Sequence, residues 1–252
     1  MNTAIKRAME VLEYLSTECD ANGDGVSAIS RQLGIPKSSA FNVLESLTEL
    51  GYVEYTANKR YRIGCKAEYL GFQVIEKHSL SSVTRRHLEW LSKQTGFTVL
   101  SGIAFGSNLI ITDQLPAMRG MSVSGGIGTM KPIHISALGN AILSCYSDEE
   151  IAGIIGCACF VSYTRNSITN MNRLLKNMHQ IRKSGFAVNN FEEDDYIYGI
   201  AAPVFDAGGR VCEAVGVSAF LPEIRQIDLQ ELAGLVTECA AAISAELKTG
   251  WV

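Results

Sequence analysis

Between Ser27 and Tyr55 the chain reads SAISRQLGIPKSSAFNVLESLTELGYVEY, and this stretch limits the possible folds more than any other. Two apolar stripes at helical spacing, Ile29 with Leu33 and then Ala40, Val43, Leu44, Leu47 and Leu50, are separated by Gly34-Ile35-Pro36. Glycine permits a sharp turn and proline fixes entry into the next helix. The spacing therefore predicts a short helix capped by Ser27, a tight turn, and a second helix ended by Gly51. An earlier stripe of Ile5, Met9, Leu12 and Leu15 predicts a first helix over Thr3 to Thr17. The loop DANGDG that follows lacks the further oxygen ligands that calcium needs.

The face of the second helix opposite its stripe carries Lys37, Ser38, Ser39, Asn42, Glu45 and Ser46. Short hydroxyls, free backbone N–H groups and one cation at a helix N-terminus suit phosphate and base-edge contact better than packing alone. Two β-prone runs follow, Tyr52 to Tyr55 and Arg60 to Ile63, around Ala57-Asn58-Lys59, and the hairpin carries Lys59, Arg60 and Arg62. Helix, helix, basic hairpin is the order of a winged helix-turn-helix, which either reads DNA or serves as a protein-interaction module.

A chain of 252 residues is long enough for two domains with separate cores. The net charge of −4 excludes a protein that coats nucleic acid by charge alone. Residues 1–75 hold eight Lys/Arg against nine Asp/Glu, so cations for DNA must be gathered on one face. No apolar leader follows Met1 and no run approaches the roughly 18 apolar residues that span a bilayer, so a cytoplasmic protein without membrane contact is expected. Seven scattered cysteines suit reduced thiols. Cys157-Ala158-Cys159 is the one close pair, and its spacing is too tight for a zinc knuckle.

Residues 64–78 read as an apolar connecting helix, followed by a helix from Leu80 toward Gly96 in which His87 is a packing residue. Phe97 to Phe105 and Leu109 to Leu115 form a hairpin about Gly106-Ser107-Asn108, with Met118 to Val123 as a further strand. The glycine-rich SVSGGIGTMKPIHISALGNAILSCY lacks the Lys-Ser/Thr ending of a phosphate loop and does not fit a dinucleotide fingerprint; it opens into a helix near Ser136. Helices are expected over Asp148 to Ile155, Ser167 to Lys183 and Asp228 to Leu247. The strand-like runs FAVNNF, YIYGIAAPVFD and RVCEAVGVSAF lie between the last two, and one sheet flanked by helices assembles these pieces. Glu192 to Asp195 reads as a solvated acidic loop, and no nucleophile with a paired base is visible. A binding domain is therefore expected rather than an enzyme, the alternative being an enzyme or a redox sensor using Cys157 and Cys159. No cofactor or metal site is expected.

LGIPKSSAFNVLESLTELGYVE, KPIHISALGNAIL and GFAVNNFEEDDYIYGIAAPVFDAGGRVCEAVGVSAF together resemble the IclR family of bacterial transcriptional regulators, over nearly the whole chain. The resemblance implies an α+β protein: a winged helix-turn-helix domain (1–63), a linker helix (64–79) and a GAF-like α/β effector domain with a mainly antiparallel sheet (80–252). It implies an operator-binding regulator, a repressor more often than an activator. Its partners are double-stranded DNA, a small metabolite such as an organic acid or aromatic catabolite, and further copies of itself in a dimer or tetramer.

With that resemblance, the expected DNA contacts are Ser27, Lys37, Ser38, Ser39, Phe41, Asn42, Ser46, Lys59, Arg60 and Arg62. Many relatives carry Arg where Asn42 stands, and Asn suits a bidentate contact with adenine. The family's effector pocket maps onto Val123, Lys131, Ala137, Leu138, Asn189, Ile197, Gly199, Gly216 and Ser218. Members that bind small acids can show Asp, Cys and Ser where this chain has Asn189, Gly199 and Gly216. A roomier and less charged pocket is implied, with Lys131 turned inward to pair a ligand carboxylate.

Overall fold

A computed structural model of the chain describes residues 3–19, 22–77, 80–118, 120–123, 126–156, 160–224 and 227–249. They divide into two compact units, residues 1–78 and 79–252.

The first unit contains helices α1 (Thr3–Thr17), α2 (Val26–Gln32) and α3 (Lys37–Glu49), the hairpin strands β1 (Val53–Tyr55) and β2 (Tyr61–Ile63), and helix α4 (Cys65–Lys77). Val11, Ile29 and Leu44 are fully buried and meet Leu15, Leu47, Val53 and Tyr61 in one core. Truncating one of the large aliphatic side chains to alanine there costs about 2–5 kcal/mol. The buried stripe of α1 runs through Val11, Tyr14 and Leu15, leaving Ile5 and Met9 more than half exposed, contrary to the predicted stripe. The rotation brings the Tyr14 hydroxyl to Asp24. Ser27 is not a cap either: α2 begins at Val26 with Gly25 before it, and Ser27 lies on the exposed side of its first turn. Leu50, predicted to be in the α3 stripe, is exposed where the helix ends ahead of Gly51 at φ +80°.

Asp24 pairs with Tyr61 through both backbone groups, adding one bridge to the two-stranded hairpin. Gly23 makes this approach possible: its φ is +76°, and a Cβ there would lie 2.4 Å from the Tyr61 carbonyl oxygen. The start of α4 is tied to the hairpin, with Lys66 over the Tyr52 ring at 5.3 Å.

The second unit is a six-stranded antiparallel sheet in the order β5-β4-β3-β8-β7-β6. Its strands are β3 (Thr98–Phe105), β4 (Asn108–Leu115), β5 (Met130–Pro132), β6 (Ala187–Asn190), β7 (Ile197–Phe205) and β8 (Val211–Phe220). Strand alternation sends Val99, Ile200, Ala202, Val215 and Val217 to one face, against α5 (Leu80–Thr95) and α10 (Leu229–Thr249). Leu100, Ala201 and Ala214 point to the other, beneath α6 (Ala137–Leu143), α7 (Asp148–Ile155) and α8 (Met171–Ser184). A short helix α9 (Leu221–Ile224) follows β8.

Among the described residues of Met118 to Val123 there is no strand. Side chains hold this segment instead: Thr98 Oγ1 accepts from the Val123 N–H at 3.1 Å and Gln114 Nε2 donates to the Val123 carbonyl at 2.9 Å. The third pairing partner of the hairpin is β5, against β4. Helix α8 starts four residues later than predicted, because Asn170 caps it and Ser167 is spent on a loop: the Ser167 hydroxyl accepts from the Tyr163 and Thr164 N–H groups and donates to the Glu192 carbonyl. His87 is a packing residue with a partner, Nε2 lying 2.9 Å from Glu246 Oε1. Among the described residues no helix is long and apolar enough to cross a membrane.

Candidate functional site

In the first unit the α2–α3 turn is closed by Ser30. Its hydroxyl donates to the Ile35 carbonyl at 2.7 Å and its carbonyl accepts from the Ile35 N–H at 3.1 Å, while Gly34 takes φ +63° in open space. Pro36 then precedes α3 without a side-chain cap, leaving the first N–H groups of the helix free for an outside acceptor. Lys37, Ser38, Phe41, Asn42 and Ser46 are exposed on this helix and Ser39 is half-buried, so these expected contacts share one accessible surface. Ser46 is turned back, its hydroxyl donating to the Asn42 carbonyl at 3.0 Å.

One residue that the sequence reading passed over joins them. Arg7 Nη1 of α1 lies 3.4 Å from Ser39 Oγ, adding a second cation to the start of α3. Its sequence signal was weak, because an arginine outside a helical stripe ordinarily marks a solvated face.

The hairpin cations differ in availability. Lys59 stands in the turn at φ +59°. Arg60 Nη1 donates to the Gly23 carbonyl at 2.9 Å, and Arg62 is paired with Glu54 across the strands at 2.9 Å. Arg60 thus ties the hairpin to the loop before α2, and Arg62 has its charge offset.

The second unit contains a cavity of about 550 Å³ over the α6 face of the sheet, within the range typical of small-molecule sites. All nine residues expected to form a pocket line it: Val123, Lys131, Ala137, Leu138, Asn189, Ile197, Gly199, Gly216 and Ser218. Register explains the convergence, because Gly199 pairs with Ser218 and Asn189, while Gly216 lies between Ala201 and Leu100. Small residues on adjacent strands make a low floor beneath α6. The two glycines have different reasons. A Cβ on Gly216 would lie 2.3 Å from the Ile200 carbonyl oxygen, whereas one on Gly199 meets nothing nearer than 3.5 Å.

Two expectations about polar groups change. Lys131 does not await a ligand: its Nζ donates to both carboxylate oxygens of Glu193 at 2.9 Å. Asn189 is spent on the backbone, Nδ2 donating to the Ile135 carbonyl at 3.3 Å and Oδ1 accepting from the Glu192 N–H at 2.8 Å. The acidic run read as a solvated loop is instead folded onto the cavity, with Glu193 and Asp194 in its lining. Burial pushes the Glu192 carboxyl up to about 7, opposed by Arg173. The missed signal was topological: β6 ends at Asn190 and its return to β7 at Ile197 must pass the cavity rim.

Among the described residues no group of three His, Cys, Asp or Glu side chains is placed to hold a metal. Burial raises the thiols of Cys145, Cys212 and Cys239, the last two to about 11 and 12, which keeps them protonated and poorly nucleophilic at neutral pH. Cys157 and Cys159 lie outside the described residues.

The family description "IclR helix-turn-helix domain" fits residues 4–57, and "Bacterial transcriptional regulator IclR C-terminal" fits residues 72–245. The transcriptional repressor AllR of Escherichia coli K12 is 26% identical over 97% of this chain and 90% of its own length. Among solved structures, the IclR of Thermotoga maritima is 26% identical with a TM-score of 0.72, covering 97% of this chain and 98% of that one. An IclR homologue from Microbacterium hydrocarbonoxydans shares the fold with a TM-score of 0.83 at 18% identity, over 98% and 100% of the two chains. The chain belongs to the IclR family of bacterial transcriptional regulators, combining a DNA-binding helix-turn-helix unit with a ligand-binding C-terminal unit.

Proposed function

We propose that this regulator represses transcription by occupying an operator through α3 and the hairpin, and that a small metabolite in the second unit's cavity controls that occupancy. The observation that carries the reading is the exposed face of Lys37, Ser38, Phe41 and Asn42, backed by Arg7 and free helix N–H groups, on a chain that also holds a 550 Å³ cavity. Lys37, Ser38 and Ser39 position the helix on phosphates and Asn42 discriminates bases. Ser27, Lys59, Arg60 and Arg62 flank the same duplex, with Ser46 nearer the far end of α3.

Self-association places two such helices on half-sites about one helical turn, or a multiple, apart. Tyr69 and Leu70 on α4, 61% and 53% exposed, support α4 as the self-association element of a dimer or tetramer. The nine lining residues form the effector site. The homologue from Microbacterium hydrocarbonoxydans was crystallised with 4-hydroxybenzoate, and the apolar walls here suit a ring-bearing metabolite of that size or larger. Ligand and operator then alter each other's affinity reciprocally, by about 1–3 kcal/mol.

The test is capture of sheared genomic DNA by the full-length protein at moderate salt. A discrete, palindromic site is expected, with its affinity shifted by a cavity ligand. Recovery of no discrete site, with or without metabolites, would overturn the reading.

A further inference from the structure

We infer that Glu193 sets the specificity of the cavity, and that it selects an uncharged ligand with a ring and hydroxyl or carbonyl groups over the corresponding carboxylate. This rests on the cavity being the effector site, and it names the ligand's chemical class.

Among the described lining residues Lys131 is the one cation, and it already makes two hydrogen bonds of 2.9 Å to Glu193. The lysine side chain is 24% exposed and the glutamate 31%, so the pair stands at the wall rather than free in solvent. Glu193 is presented by the chain itself, and a ligand carboxylate must compete with that tethered partner. A carboxylate that succeeded would leave Glu193 uncompensated beside it, with Asp194 also in the lining. Among the described lining residues the formal charge is therefore −1, which offers a ligand carboxylate no net attraction.

The remaining polar groups suit a neutral partner. Both ends of the Asn189 amide are engaged with backbone, and the Ser136 hydroxyl accepts from the Gly139 N–H. Among the described residues the hydroxyls of Thr129, Tyr163 and Ser218 have no protein partner, and each both donates and accepts. Leu100, Ile111, Leu138 and Ile197 supply apolar walls.

The test uses two probes of one shape, 4-hydroxybenzamide and 4-hydroxybenzoate, titrated at neutral pH into the full-length protein with affinity read by calorimetry. Wild type is expected to bind the amide at least tenfold more tightly than the acid. Glu193→Gln should tighten the acid at least tenfold while changing the amide less than threefold, and Lys131→Met added to Glu193→Gln should cancel that gain. Equal affinities in wild type, or no gain for the acid in Glu193→Gln, would overturn the selectivity. Ser218→Leu, which extends an existing side chain into the cavity, separates this from the site assignment. If both probes bind Ser218→Leu as they bind wild type, the cavity is not their site. If Ser218→Leu loses both probes while Glu193→Gln discriminates nothing, only the selectivity falls. Binding of neither probe to any variant at millimolar concentration overturns the ring-bearing occupant itself.

Discussion

The Tyr14 hydroxyl donates to the Asp24 carboxylate, and the Asp24 backbone exchanges hydrogen bonds of 2.9 and 2.7 Å with Tyr61. One residue thereby joins the first helix to the hairpin. The bond to Asp24, with burial, pushes the Tyr14 phenol up to about 12. Tyr14→Phe is expected to cost about 1–2 kcal/mol, which speeds hydrogen exchange of the Tyr61 and Asp24 amides roughly 5- to 30-fold. The phenol's folded value is raised, so its contribution is complete below its ordinary value near 10 and lost as pH rises through about 12. Wild type should approach the phenylalanine variant across that interval, and a constant difference would assign the effect to packing.

Arg60 and Lys37 are both candidates for phosphate contact, but only Arg60 is tied into the unit, through the Gly23 carbonyl. Lys37→Ala should weaken every DNA sequence alike and lower the salt slope of binding by about 1. Arg60→Ala should do this and also raise hydrogen exchange around Gly23 and Asp24. Asn42→Ala should lose about 1–3 kcal/mol on the operator and less on mismatched DNA. Equal losses on all sequences would remove Asn42 from base reading.

Much of the order of elements was legible from local signals: Gly34-Ile35-Pro36 for the turn, the strand-like runs of β7 and β8, and the opening of α6 near Ser136. The cavity floor was legible only through the resemblance, since Gly199, Gly216 and Ser218 converge by strand register, which spacing does not encode. What escaped depends on where a long side chain reaches. Arg7 and Glu193 carry ordinary surface chemistry in sequence, and their roles come from partners 32 and 62 residues away. The stripe of α1 was placed correctly at Leu15 and in part at Leu12 but not at Ile5 and Met9: these keep helical spacing as well as Val11 does, and packing in the unit's core decides between them.

The two floor glycines should respond oppositely to alanine. Gly216→Ala forces a Cβ to 2.3 Å from a backbone oxygen in the middle of the sheet, where neighbouring strands prevent retreat. A loss of several kcal/mol, seen as a large fall in the urea midpoint, is expected. Gly199→Ala places its methyl at ordinary contact distance from Ala137 and Asn189, so stability should change by less than about 1 kcal/mol. Because that methyl enters the cavity lining, ligand affinity should fall while the fold is kept. A Gly199→Ala protein that unfolds like Gly216→Ala would contradict this account of the floor.

Glu192 makes the second unit's stability depend on pH near neutrality. Its backbone is held from three sides: the N–H donates to Asn189 Oδ1 at 2.8 Å, and the carbonyl accepts from Ser167 Oγ at 2.7 Å and Thr164 Oγ1 at 3.3 Å. These bonds fix the backbone that carries the carboxyl, and its Oε2 is buried without a partner among the described residues. Burial consequently pushes the group up to about 7, with Arg173 only partly opposing. A raised folded value means that the folded chain keeps a proton the unfolded chain has released. The stabilisation is complete below about 4.5 and is lost as pH rises through about 7. Between pH 5 and 8 the urea midpoint of wild type should therefore fall relative to Glu192→Gln, by an amount equivalent to about 1–3 kcal/mol. Glutamine keeps the shape and removes the titration, so parallel pH curves for the two proteins would show that the carboxyl escapes its burial. The Lys131–Glu193 pair is untouched by this change, and ligand selectivity in Glu192→Gln should match wild type even where stability does not.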